Sequence, residues 1–305
     1  MDKKKNIETL NATSFHKLMI DIDKELAEKE IPAFDRMLVA YGKIRGHGSY
    51  EINQEIDPTC GPYEGSNLLF AIEDWYTNCY PSESIHAKPF GKRPILIRSE
   101  PFMMKLPMIF NADPKTISAI KYIEGITESL LQILDETERL NLQSRFNIYF
   151  MQASNLALLR VQIQYDLKSP NEKLIQELIL SGCGDLNSAS RSVIRDEPGA
   201  YMWCIQQSVE KFFKAYLAFV NSAMTKENLK QKFGHNLEKI VREARASCDA
   251  FEKILPYIEK VNVSPDMRYK PSILTYSQAV EIIDLAYSIC DFIVCVLLEQ
   301  VNKTR

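Results

Sequence analysis

The stretch WCIQQSVEKFFKAYLAF, residues 203–219, decides how the chain is read. Ile205, Val209, Phe212, Phe213, Tyr216 and Leu217, with Val220 just beyond, recur at the i, i+4, i+7, i+8 spacing of a helix face turned to a core. Pro198 suits a first helical turn, where a missing N–H leaves nothing unpaired. On the other side Gln207, Glu210, Lys211 and Lys214 share a polar stripe. Glu210 precedes Lys214 by four residues, the favoured order for an intrahelical ion pair. The spacing predicts a two-sided helix over 198–220. Its polar side is either a working surface or a wetted face, and the flanking sequence has to decide which.

Toward the C-terminus, KFGHNLEKIVREA (232–244) predicts a helix with Leu237, Ile240 and Val241 inside. Either Asn236 caps it or His235 holds the turn before it. FEKILPYIEKV (251–261) is a further short helix, and SPDMRYKPSILTY (264–276) is a loop with two prolines. A long final helix runs from Tyr276 to about Gln300 with Val280, Ile283, Tyr287, Cys290, Val294 and Leu297 on one side. Four helices, mostly antiparallel, form a small up-down bundle.

Toward the N-terminus, SGCGDLNSASRS (181–192) is small and polar, as linkers are. A boundary within 168–200 divides an N-terminal region, 1–175, from a C-terminal one, 176–305. Phe146–Leu167 reads as a long helix, preceded by stripes at Leu130, Leu131, Leu134 and at Ile117, Ile120, Ile123. ILIRSE (95–100) and FMMKLPMIF (102–110) are the strand candidates, interrupted by Pro101 and Pro107, so any sheet is small. Helices are expected over 13–30, 33–43 and 66–80, separated by loop-like 45–65 and 81–94. The expected fold is mainly α: a C-terminal helical bundle and an N-terminal helical region with a small β element.

Composition narrows the classes of function. Hydrophobic residues make up 46% and charged residues 25% of 305, as in globular proteins. A net charge of −3 leaves no chain-wide basic field for nucleic acid. The seven cysteines form no CxxC pair and fit a reducing, cytoplasmic setting. MDKKKNIETL carries no apolar segment after its lysines and is not read as a signal peptide. AYSICDFIVCVLL (286–298) is too short and too polar for a membrane span. Phosphate-loop, dinucleotide, zinc-protease and nucleophile-elbow motifs are all missing. The spacing of Cys60, Cys79 and His86 fits no zinc pattern. Trp75, Tyr76 and Tyr80 read as core or interface. Lys88, Lys92 and Arg93 around Phe90 form the best local basic-aromatic patch.

Three blocks in order carry a family resemblance. AYMWCIQQSVEKFFKAYLAF (200–219) is similar to the Gln-Gln…Glu-Lys helix of HEPN domains, the higher eukaryote and prokaryote nucleotide-binding helical domains. KFGHNLEKI (232–240) resembles that family's helix start, and MRYKPS (267–272) before a long helix resembles its Arg-Tyr segment. The resemblance covers about residues 195–300. It implies a homodimeric bundle that binds a nucleotide, RNA or a protein partner in bacterial stress or defence, with no cofactor. By the same resemblance, Gln207, Glu210, Lys211, Lys214, His235, Arg268 and Tyr269 are the ligand-binding candidates.

Many HEPN domains are metal-independent ribonucleases, with an Arg, four to six intervening residues and then a His. That pairing supplies a proton carrier and a cation for the developing phosphorane charge. None of His16, His47, His86 and His235 has an Arg at that spacing, and the final helix holds no His. A non-catalytic binding module is therefore the leading expectation. A divergent ribonuclease built from His235, Arg268 and Tyr269 is the alternative, and a structural oligomerisation module a third. Each residue also has a plainer role: His235 as a turn residue, Arg268 as a partner for Glu210, and the polar stripe as a structural or interfacial surface.

Overall fold

A computed structural model describes residues 9–10, 12–29, 31, 33–46, 51–52, 66–80, 91–106, 118–165, 169–194, 198–262 and 274–303. They are mainly helical, as the periodicities require. The chain forms two compact units, residues 1–89 with 108–113, and 90–107 with 114–305.

In the first unit β1 (Thr9–Leu10) pairs in parallel with β2 (Glu51–Ile52), and three helices follow the expected ranges. These are α1 (Ala12–Glu28), α2 (Ala33–Gly46) and α3 (Ser66–Cys79). Phe15, Met19, Ile22 and Leu26 form one buried stripe of α1, which packs with α2 and α3. Asp23 ties the three together, accepting from Tyr80 Oη at 2.5 Å and Arg36 Nη1 at 3.2 Å.

The second unit opens with an antiparallel hairpin, β3 (Lys92–Ile97) and β4 (Glu100–Lys105). Its two turn residues, Arg98 and Ser99, both have positive φ (52° and 70°), the backbone that two-residue hairpins favour. Glu138 (2.9 Å) and the Ile133 carbonyl (2.6 Å) hold the Arg98 guanidinium and offset that conformational cost. The β5 strand (Ile123–Glu124) extends the sheet beside β4. This corrects the helical stripe expected at Ile117, Ile120 and Ile123, of which Ile117 lies outside the described residues. Ala119–Tyr122 is a single 3₁₀ turn, and Ile123 pairs with Met104.

Beyond α4 (Glu128–Ile133), α5 runs from Glu136 to Tyr165 and starts ten residues before the expected Phe146. The cause is a reciprocal cap: Glu138 N donates to Asp135 Oδ1 (2.8 Å), and Asp135 N donates to Glu138 Oε2 (2.9 Å). The expected linker is also corrected, because SGCGDLNSASRS lies within α6 (Glu172–Ile194). Its small residues permit close packing. A Cβ on Gly182 would come within 2.9 Å of the Phe212 ring. Residue 175 falls inside α6, and Leu159, Ile163, Ile175 and Ile205 belong to one core.

The remaining helices are α7 (Pro198–Val220), α8 (Lys226–Phe233), α9 (Leu237–Ser247), α10 (Leu255–Val261) and α11 (Tyr276–Lys303). Helix α7 packs against α6, α9 and α11, and α11 also packs on α5 and α6. Val220, expected in the core stripe, is exposed at the end of α7. The helices are not all antiparallel neighbours. Side-chain bonds join Arg145 and Tyr149 to Asp284, Gln152 to Ser288, Asn155 to Asp291 and Gln162 to Asn302. Both numbers rise together, so α5 and α11 run parallel. Among the described residues no helix is long and apolar enough to cross a membrane.

Candidate functional site

The polar stripe of α7 is folded into the second unit and not left to solvent. Lys214 Nζ donates to Glu210 Oε1 at 2.5 Å, the ion pair that the i,i+4 spacing predicts. The Glu210 side chain is only 3% exposed and that of Lys214 11%. Burial comes from the turn between α8 and α9. Gly234, at φ +55°, lets the chain reverse there, and its carbonyl accepts from Lys214 Nζ at 2.7 Å. Asn236 caps α9 through Lys239 N, one of the two expected roles at this turn.

His235 stands beside that cap. Its Nδ1 lies 3.4 Å from Glu210 Oε2 and 3.3 Å from Gln207 Nε2, and Gln207 Nε2 donates to the same Glu210 oxygen at 3.3 Å. When imidazole and amide both donate to Glu210, the neutral ring carries its proton on Nδ1 and leaves Nε2 as an acceptor. The His235 side chain remains 60% exposed, with Trp203 at 5.8 Å between ring centroids. Lys211 takes a separate partner, Asp185 of α6, at 2.5 Å. Burial pushes the Asp185 carboxyl above its ordinary value, and Lys211 opposes the shift.

Four of the seven expected site residues are thus brought together: Gln207, Lys214 and His235 converge on the Glu210 carboxylate. Lys211 points to α6. Arg268 and Tyr269 lie outside the described residues. The partners found for Glu210 are Lys214, Gln207 and His235. Chemically, the knot offers an oriented imidazole at the surface, backed by a buried carboxylate.

No family model, no curated protein and no solved structure matches the chain.

A second polar site has no counterpart in the sequence reading. Arg93, grouped there with Lys88, Lys92 and Phe90 as a surface patch, is 4% exposed. Strand alternation separates it from its neighbour, because successive side chains of β3 point to opposite faces. Lys92 turns outward to Glu124 at 2.6 Å. Arg93 turns inward with Ile95 and Ile97. Its guanidinium lies against the Tyr287 ring and 5.2 Å from the Tyr149 centroid, and Nη2 donates to Gln152 Oε1 at 3.3 Å. Among the described residues Nη1 has no hydrogen-bond partner. Burial pushes the Arg93 pKa down, opposed chiefly by Tyr287, then Tyr149 and Asp284. The alternating run Arg93, Ile95, Ile97 was the available signal, outweighed by the basic residues around it.

Lys88, Phe90, Cys60 and His86 lie outside the described residues, and Cys79 is exposed. Among the described residues no cluster of His, Cys, Asp and Glu could hold a metal ion. Tyr76 is buried in the first unit and stacks on Tyr80, and Trp75 donates to His16 Nδ1 at 2.9 Å.

Proposed function

We propose that the chain is a non-catalytic helical module of the HEPN type that acts by binding, and that its protein-binding face is the outer side of α5. The observation that carries this reading is the composition of that face. Leu140, Ile148, Met151 and Leu158 are each at least 49% exposed. At 100° per residue they fall within an 80° arc, along about 27 Å of helix. From Leu140 to Leu159 the one charged residue is Arg145, which is engaged by Asp284 at 3.0 Å. Single exposed apolar residues are ordinary, whereas an uncharged apolar row marks an interaction surface.

The row favours a second copy as occupant. An antiparallel pairing centred between Tyr149 and Phe150 sets Ile148 against Met151 of the other copy and Leu140 near Leu158. One surface then serves both partners, as two-fold symmetry requires. The α7 stripe supports binding over catalysis in another way. Its Glu and Lys residues are engaged within the chain. In multi-angle light scattering, the mass at high micromolar concentration is expected near twice 35.1 kDa. Met151→Glu with Leu158→Glu should return it to the monomer without changing the circular dichroism. A wild-type monomer throughout that range would overturn the reading.

A second reading, a divergent metal-independent ribonuclease, is favoured by His235 alone. Its Nδ1 rests on a buried carboxylate and its other nitrogen is free to accept a proton, as in a general base. That reading expects cleavage of mixed RNA in the presence of chelator, reduced at least 100-fold by His235→Ala. Intact RNA with wild-type protein across the pH range would remove it.

A further inference from the structure

We infer that the cavity around Arg93 is a binding site for a small carboxylate with a short apolar tail. The inference rests on neither the α5 face nor the HEPN resemblance. The cavity is about 40 Å³. It is lined on its polar side by Arg93, Gln152, Asn187 and Asp291, and on its apolar side by Leu156, Leu186, Phe212 and Val294. By the volume that one water occupies, it holds roughly three waters, or a group of acetate size.

The argument starts from the guanidinium. A buried charge is ordinarily paired, because desolvation strongly disfavours leaving it alone. Arg93 has a glutamine and two tyrosine rings about it, but among the described residues no carboxylate bonds to it. The two nearby acids are committed elsewhere. Asp284 accepts from Tyr149 at 2.8 Å through one oxygen and from Arg145 at 3.0 Å through the other. Asp291 accepts from Asn155 at 3.0 Å. Among the described residues Nη1 has no acceptor for its N–H groups, and it stands at the wall of a cavity. A carboxylate oxygen is the acceptor that guanidinium geometry suits best.

Two features narrow the class. Asp284 and Asp291 already lower the local potential, so a single negative charge is tolerated better than the double charge of phosphate. Half of the named lining is hydrocarbon, which suits an attached methyl or ethyl group better than a second polar end. Cys183 and Cys290 also line the cavity, but burial raises both thiols, that of Cys183 to about 11. They act as neutral wall and not as nucleophiles.

The test is thermal unfolding and titration calorimetry of the full chain with acetate, propionate, phosphate and chloride at matched ionic strength. Acetate and propionate should raise the unfolding midpoint progressively with concentration, as ligands of the native state do, whereas chloride should not. Arg93→Gln should abolish the response. Asp291→Asn, which removes one repelling charge from the cavity wall, should bind roughly tenfold more tightly. A merely structural Arg93 predicts neither effect. If Arg93→Gln does not fold, Asp291→Asn decides. Failure of both wild type and Asp291→Asn to respond to carboxylate overturns the inference. So does an undiminished response in Arg93→Gln, or a response to phosphate in place of carboxylate.

Discussion

Glu210→Ala is expected to destabilise the second unit by about 3–5 kcal/mol, the usual cost of removing one partner from a buried ion pair. The size follows from what remains behind. The Lys214 ammonium would keep one bond, to the Gly234 carbonyl at 2.7 Å, in a place where its side chain is 11% exposed. Gln207 and His235 would lose the oxygen on which both converge. For a unit of about 200 residues, this is a drop of roughly 10 °C in the unfolding midpoint. The pair itself need not be a net source of stability. Replacing both members together, Glu210→Leu with Lys214→Met, is expected to recover most of the loss, because no charge is then left buried alone. Denaturant unfolding of Glu210→Leu, Lys214→Met and the double beside wild type closes a cycle that isolates the coupling. A loss below about 1 kcal/mol for Glu210→Ala would mean that the pair behaves as a solvated surface contact.

That pair also shows where sequence reasoning reaches its limit. Its existence was legible, since i,i+4 spacing depends only on helix geometry. Its burial was not. The groups that cover it, Gly234 and His235, arrive 20 to 25 positions later through the turn before α9. The helices themselves were largely legible, because α1, α7 and α11 each carry a full apolar stripe. Where periodicity was faint, composition misled. Gly182, Gly184 and Ser188 looked like linker, yet all three lie within α6, and Gly182 is where the helix approaches Phe212 too closely for a side chain. Loops and tight helix contacts draw on the same residues, and only the neighbouring helix distinguishes them.

The parallel course of α5 and α11 was equally hidden. It is set by bonds between residues 135 to 140 positions apart. Partly buried polar bonds of this kind fix register and direction, which apolar stripes leave open. Arg93 was hidden for a different reason. Its charge marks it as surface, and the two-residue period of β3 marks it as interior. The structure follows the period, and a cavity with an unpaired donor is the consequence.

Phe251→Ala is expected to cost about 3–5 kcal/mol, and no second substitution should restore it simply. Phe251 is fully buried in the 3₁₀ segment Asp249–Ile254, between α9 and α10. Its ring meets Tyr216 edge-on at 4.7 Å, Phe213 at 5.3 Å and Phe292 at 6.0 Å between centroids. Three aromatic pairs from α7 and α11 therefore depend on one side chain, each worth about 0.5–1.5 kcal/mol beyond area burial. Truncation also leaves a hole that rigid rings cannot collapse into, so the cavity cost adds to the lost transfer energy. Phe251→Leu should retain most of the volume and lose under about 2 kcal/mol. The two substitutions differ from Glu210→Ala in kind. An apolar cavity has no protonation state, so the Phe251→Ala loss should be the same at acidic and neutral pH. The Glu210→Ala loss should instead be recovered by a second substitution, at Lys214, which removes the charge left behind. Urea unfolding of Phe251→Ala and Phe251→Leu beside wild type at two pH values checks the size of the loss and its independence of pH. A Phe251→Ala loss below about 1.5 kcal/mol would mean that the α9–α10 segment is not anchored to the core through this ring.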